Sequence, residues 1–231
     1  MKKRPFIVAL DGPSGAGKST LAKELAKRLG FDWLDTGALY RCLGLAVWRA
    51  YGGGGEYLSQ REGVIRLLSE LDMVFEEGSR RIFLNGEDVS EEIRRPEVSW
   101  VTSELSAWPE VRTALLGYQR GLALAASRGV ILDGRDIGTV VFPDADIKFF
   151  ITATAEERAR RRHREWEGKG VVKTVEEVFA EQGKRDLADS QREFAPLKQA
   201  EDARLWDTSE QSLQQVADGL EYEIRRHSED L

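Results

Sequence analysis

Short apolar runs alternate with amphipathic stretches along the chain. PFIVAL at 5–10 precedes a helical stretch, FDWL at 31–34 precedes another, and VILD at 130–133, IKFFITA at 147–153 and RLWDT at 204–208 follow much later. Strand-length apolar runs separated by helix-period segments predict a parallel sheet covered by helices. The stretch after Gly17 shows its apolar face plainly, with Leu21, Leu25 and Leu29 four apart, Ala22 and Ala26 beside them, and Gly30 as the stop. This helix packs on the sheet.

The pattern changes between Tyr51 and Pro96. After the glycine loop 52–55, Ser59-Gln60-Arg61-Glu62 reads as a capping box opening a short helix. Residues 73–89, MVFEEGSRRIFLNGEDV, then alternate apolar and polar with turn signals at Glu-Gly-Ser and Asn85-Gly86, which predicts a small antiparallel sheet inserted on the main fold. From Pro96 to Ser127 the pattern is helical, broken near Pro109. Two further helices open with capping boxes, Thr154 to Glu157 and Thr174 to Glu177, and flank a polar linker, 167–173, that is a candidate lid segment.

Composition narrows the partners. The 231 residues fit one globular unit, or a core domain with an insert. A net charge of -6 argues against a nucleic-acid partner, which needs a broad basic surface. Cys42 is the single cysteine, so no intrachain disulfide forms and a reducing, cytoplasmic setting is expected. The run after MKKR stops at Asp11, too short for a signal peptide, and nothing approaches the length of a membrane span.

The strongest chemical signal is Gly12-Pro13-Ser14-Gly15-Ala16-Gly17-Lys18-Ser19, followed by Thr20. It satisfies G-x-x-x-x-G-K-[ST] between a predicted strand and a predicted helix. Small residues let backbone N–H groups converge on phosphate oxygens at a helix N-terminus, Lys18 reaches the β- and γ-phosphates, and the Ser19 hydroxyl suits Mg²⁺. The bland alternative is a glycine-rich turn, but four fixed positions match by chance in only about one chain of this length in a hundred. Asn85, the only asparagine, is followed by glycine, so the guanine-reading Asn-Lys-x-Asp of switch GTPases is absent. A kinase needs a second site, and the candidates are Asp35 to Arg41, Ser103, Arg112, Asp133-Gly134-Arg135-Asp136 and the stretch 184–192.

Together DGPSGAGKST, DTGALYR, NGEDVSEEIR, DGRDIGTVVFPDA and Arg185-Asp186-x-x-Asp189-x-x-Arg192 resemble the bacterial cytidylate kinase family, in order over nearly the whole chain. The resemblance implies a P-loop nucleoside monophosphate kinase fold, α/β, with a five-stranded parallel sheet flanked by helices, an antiparallel-sheet insert in the monophosphate-binding domain and a helical lid. On that reading the core is 1–35, 97–153 and 200–231, the insert 36–96 and the lid 154–195. The resemblance also implies Mg²⁺-dependent transfer from ATP to CMP, with dCMP also accepted, in pyrimidine nucleotide metabolism; a monomer is the default expectation. It places Ser103, Arg112 and Asp136 on cytosine, Arg41, Arg135 and Arg192 on the CMP phosphate, and Arg185 and Asp189 near the ribose. Lys18, Arg135 and Arg192 are the implied catalytic groups, and Thr36 and Asp133 join the acceptor site.

Cytosine chemistry fits these assignments, since its N4 amino group donates to a carboxylate while O2 and N3 accept from arginine. Uracil presents a carbonyl at position 4, so a preference for CMP over UMP is expected. A phosphate monoester is largely dianionic at neutral pH, so no general base is required.

Several residues carry second readings. Asp35 and Thr36 also suit a helix cap at Ala38. Arg158 and Arg162 either close over ATP or join Arg161 and Arg164 in surface pairs with Glu156, Glu157 and Glu165. The 185–192 stretch, by itself, also reads as an exposed helix with internal pairs. Asp133 either orients substrate or acts indirectly on Mg²⁺. Trp48, Trp100, Trp108 and Trp206 read as packing residues, and His163 and His227 as solvated. Ser19-Thr20 stands where some relatives carry Gly-Thr, and Ala188 where some carry arginine; neither change removes a required group. Outside this family, the alternatives are a kinase of UMP or a small alcohol, and a nucleotide-binding regulatory module.

Overall fold

A computed structural model describes residues 4–76, 79, 81–168 and 170–228. The elements are β1 (Phe6–Asp11), α1 (Lys18–Leu29), β2 (Asp32–Asp35), α2 (Thr36–Tyr51), α3 (Arg61–Glu70), β3 (Met73–Glu76), β4 (Arg81–Leu84), β5 (Glu87–Asp88), α4 (Pro96–Leu105), α5 (Pro109–Leu124), β6 (Gly129–Gly134), β7 (Ile147–Thr152), α6 (Ala155–Glu167), α7 (Val175–Gln191), β8 (Arg204–Asp207) and α8 (Leu213–His227). The parallel sheet runs β2-β6-β1-β7-β8 and the antiparallel sheet β3-β4-β5. Two compact units result, one from the chain up to Phe31 together with Ala126 onward, the other Asp32–Ala125.

In the first unit β1 pairs in parallel with β6, Leu10 opposite Asp133, and with β7, Leu10 opposite Phe149. Ile7, Val8, Leu10, Ile131, Leu132, Phe149 and Ile151 are all buried, as expected for strands covered on both faces. Register therefore brings the carboxyl ends of β1 and β6 level, which sets Asp11, Asp133 and the residues following them side by side. Leu21, Ala22, Leu25, Ala26 and Leu29 of α1 are buried, and α8 buries Val216, Ala217, Leu220 and Ile224. Helix α8 opens with a reciprocal Ser212–Gln215 capping box that the hydrophobic pattern alone did not reveal.

The second unit is built on α2, whose Leu39, Cys42, Leu43, Leu45 and Val47 are buried with Val98, Val101 and Leu105 of α4 and Ile82 of β4. Burial pushes the Cys42 thiol up to about 12, so it is an inert core residue. The antiparallel sheet forms as expected, with Asn85 at φ 52° and Gly86 at φ 82° making the β4–β5 turn. The Glu-Gly-Ser turn signal falls partly on residues 77 and 78, outside the described residues.

Three local expectations are corrected. The Ser59 capping box does not form: the Ser59 hydroxyl donates to the Glu56 carbonyl (2.8 Å), closing a 3₁₀ turn, and α3 starts from Gln60 without a side-chain cap. At α6 only half a box forms, because Glu157 turns to Arg161 (3.0 Å) while the Thr154 N–H donates to Ser209 (2.9 Å). Trp100, read as a packing residue, is 49% exposed, with its ring 6.3 Å from that of Tyr57 in a T-shaped arrangement, whereas Trp108 is buried. Among the described residues no helix is long and apolar enough to cross a membrane.

Candidate active site

The phosphate loop Gly12-Pro13-Ser14-Gly15-Ala16-Gly17 turns the end of β1 into α1. A side chain at Gly12 would put its Cβ 1.9 Å from the Ile151 carbonyl oxygen, and φ of 147° there excludes other residues in any case. The Lys18 ammonium is buried and donates to the Gly12 and Pro13 carbonyls at 2.8 and 2.7 Å, curling back over its own loop. Burial, and after it the charge of Arg135, pulls the Lys18 pKa well below its ordinary value, while Asp133, Asp11 and Asp189 oppose the shift. Ser19 and Thr20 lie on the open side of α1, and the Ser19 hydroxyl donates to Asp133 Oδ2 at 2.6 Å.

At the end of β6, Arg135 Nε donates to Asp189 Oδ2 (2.9 Å), and Asp189 Oδ1 lies 3.3 Å from Arg192 Nη2. Burial works against ionisation of Asp189, but Arg135, Arg192 and Arg185 together outweigh it and hold the carboxyl below its usual range. Within the 185–192 stretch Asp189 is thus buried, while Leu187, Ala188, Ser190 and Gln191 stay exposed. Asp189 is a hub that holds two arginines toward one another.

Asp136 is buried and begins a single turn, Ile137–Val141, with its carbonyl accepting from Val140 and Val141 N–H. The N–H groups of Ile137 and Gly138 donate to Asp11 Oδ1 and Oδ2 at 2.8 and 2.7 Å. Burial raises the Asp11 pKa to about 6, although these two backbone bonds lower it. A raised carboxyl pKa means the folded state loses stability as pH rises from the unfolded value near 3.8 through about 6. Relative to Asp11→Asn, the wild-type protein is expected to lose about 3 kcal/mol across that window. Denaturant titrations of both proteins at several pH values read this directly; a pH-independent difference contradicts it.

The helices α6 and α7 meet the loop through several side chains, Gln182 among them, whose Nε2 lies 2.7 Å from where a Gly15 Cβ would stand. Arg158 Nη1 donates to the Ser14 carbonyl (3.0 Å) and pairs with Asp186, which accepts from Ser14 N–H (3.3 Å). Arg162 does not reach the loop; it pairs with Glu165 (2.8 Å) over the Trp166 ring. Arg161, which the sequence offered only as an ion-pairing residue, binds Thr208 and comes within 3.7 Å of where a Gly17 Cβ would stand. Its one sequence signal was the i, i+3 spacing from Arg158 on one helix face.

In the second unit Asp35 does two things. Its Oδ1 accepts from Ala38 N–H (3.1 Å), capping α2, and its Oδ2 accepts from Arg41 (2.6 Å) and Arg94 (3.4 Å). Thr36 is buried at the first position of α2. Arg112 is buried, donates to the Ser106 carbonyl (3.0 Å) and lies 5.3 Å over the Tyr40 ring. Ser103 stands half-buried on α4, where its carbonyl accepts from the Ser106 hydroxyl.

A phosphate loop between strand and helix, with arginines and carboxylates gathered at the neighbouring strand end, defines a P-loop phosphotransferase. The family model described as cytidylate kinase matches residues 8–226. A cytidylate kinase of Syntrophotalea carbinolica is 47% identical over 94% of this chain and 91% of its own length, and one of Geobacter sulfurreducens is 47% identical over 96% and 94%. The chain belongs to the cytidylate kinase family. A crystal structure of an uncharacterized protein from Eubacterium ventriosum aligns with a TM-score of 0.51 at 12% identity, covering 95% of this chain and 98% of that one, a likeness of fold alone.

Proposed function

We infer that the chain transfers the γ-phosphate of ATP to CMP, giving CDP and ADP, and accepts dCMP as well. It is an ATP-dependent nucleoside monophosphate kinase. The observation that carries this reading is the Arg135–Asp189–Arg192 cluster beside the Lys18 loop within one unit. Two guanidiniums oriented by one buried carboxylate suit a dianionic phosphate acceptor, which must approach a second polyanion without being repelled. Such an acceptor attacks unaided, so the nearby acids are free for orienting work.

The roles divide along the chain. Lys18 and the loop from Gly12 to Thr20 take the ATP phosphates, helped by Arg158 of the lid, 154–195; Arg162 reaches ATP only by leaving Glu165. The insert, 36–96, supplies Thr36 and Arg41 to the acceptor. Arg135 and Arg192 hold the CMP phosphate, with Arg185 and Asp189 beside the ribose. Ser103, Arg112 and Asp136 read the base. Asp35 keeps Arg41 oriented while capping α2.

Ser19 and Asp133 form a pair of hard oxygen donors at a helix start and a strand end, a set that suits Mg²⁺ held chiefly by nucleotide phosphates. Mg²⁺ held there by Ser19, with Asp133 behind it, would neutralise phosphate charge during transfer. Asp133 orients the Ser19 hydroxyl, which favours an indirect role toward the cation over contact with the acceptor. The enzyme acts as a cytoplasmic monomer with small-molecule substrates.

The test is ADP formation from ATP and Mg²⁺ with CMP, dCMP, UMP, AMP, GMP and shikimate supplied singly. CMP and dCMP are expected to stimulate it about 100-fold or more over UMP. No stimulation by CMP, or equal stimulation by UMP, overturns the assignment.

A further inference from the structure

Asp11 ends the central strand one residue before the phosphate loop, within electrostatic reach of Lys18. Both oxygens are committed to backbone N–H groups 126 and 127 residues further along, those of Ile137 and Gly138. These are the two residues immediately after Asp136. The turn they open is bonded in the i to i+5 pattern, Val141 N–H to the Asp136 carbonyl and Phe142 N–H to the Ile137 carbonyl. Its first N–H groups therefore have no partner within the turn, and a buried donor left unpaired is costly. Asp11 supplies both acceptors from another strand.

The packing leaves little slack. Asp11 is 4% exposed and Asp136 5%. A Cβ at Gly138 would stand 2.9 Å from Lys148 Cδ and 3.4 Å from Asp11 Oδ2. Lys148 is itself held by the Pro143 carbonyl (2.6 Å) and Asp202. The turn is thus packed closely against both the end of β1 and Lys148 of β7. A displacement of the Ile137–Gly138 peptide carries Asp136 with it, since they are covalently adjacent.

We propose that Asp11 is a positioning residue for base selectivity, fixing the turn that presents Asp136 to the acceptor base. This rests on the reading of Asp136 as the cytosine reader. It also links donor and acceptor sides through one residue, because Asp11 is joined directly to Gly12.

Asp11→Asn is the informative change. It keeps the shape and one acceptor but turns an amide N–H toward a backbone N–H, so one of the two bonds is lost. A shift of about 1 Å in a reacting or reading group costs up to about 100-fold. Accordingly kcat/KM for CMP is expected to fall about 30-fold or more, mainly through KM, and the CMP to UMP ratio of kcat/KM about 10-fold or more. Any change in ATP binding, read by calorimetry, is common to both acceptors and leaves the CMP to UMP ratio unaffected. A merely structural role lowers activity with both acceptors in parallel, and an unchanged CMP to UMP ratio overturns the proposal.

Asp136→Ala, measured alongside, separates the two claims. If it erodes the ratio and Asp11→Asn does not, positioning fails while base reading stands. If Asp136→Ala leaves the ratio intact, base reading fails and selectivity positioning with it. Amide exchange at Ile137 and Gly138, faster in Asp11→Asn, then reports only whether Asp11 pins the turn. Should Asp11→Asn not fold, Gly138→Ala disturbs the same peptide with the carboxylate in place, and an unchanged ratio there overturns the proposal equally.

Discussion

Replacing Lys18 by methionine lowers kcat by about 1000-fold or more with every acceptor, CMP and UMP alike. The side chain is buried and its ammonium donates to the Gly12 and Pro13 carbonyls in the protein alone. Methionine fills nearly the same volume without charge, so the change costs the fold only the two hydrogen bonds, about 1–3 kcal/mol. On the proposed role catalysis loses far more, because the buried ammonium would stabilise charge moving onto the β–γ bridge during transfer. Single-turnover measurement of ADP formation with saturating ATP reads this step. A loss below about tenfold, or one confined to CMP, contradicts the role.

Asp136→Ala has a different signature. The carboxylate is buried on a clamped turn, and an N4 amino group facing it gains an acceptor that a uracil carbonyl cannot use. Alanine removes the attraction for cytosine and the repulsion of uracil together. We expect kcat/KM for CMP to fall about 100-fold or more while that for UMP changes by less than about tenfold, so the selectivity ratio collapses. Kinetics with both acceptors at fixed Mg-ATP decide this. Parallel losses with CMP and UMP place Asp136 in general catalysis instead.

Much of the architecture was legible from local pattern. The strand–loop–helix around Lys18, the apolar stripe of α1, the Asn85-Gly86 turn and the full capping box at Thr174 are each set within a few residues, and each forms as read. Local reading failed where a hydroxyl or carboxylate had a competing partner. Ser59 turned to a carbonyl three residues back, and Glu157 preferred the arginine one helical turn on. The choice among Arg158, Arg161 and Arg162 was likewise beyond spacing alone, since all three belong to one charged helix and only packing shows which of them approach the loop.

By itself the sequence determined the phosphate loop, the succession of strands and helices, and a family resemblance carried by five motifs in order. Those features depend on near neighbours, whose backbone preferences and side-chain spacing are written consecutively. Tertiary structure alone decided how the acids are used. Asp133 meets Ser19 across 114 residues, Asp189 meets Arg135 across 54, and Asp11 meets Ile137 across 126. Parallel strand pairing aligns the carboxyl ends of β1 and β6 only after the intervening chain has folded back. A carboxylate in a sequence names no partner; burial beside that sheet edge selects it, because an acid removed from water must find its donors there.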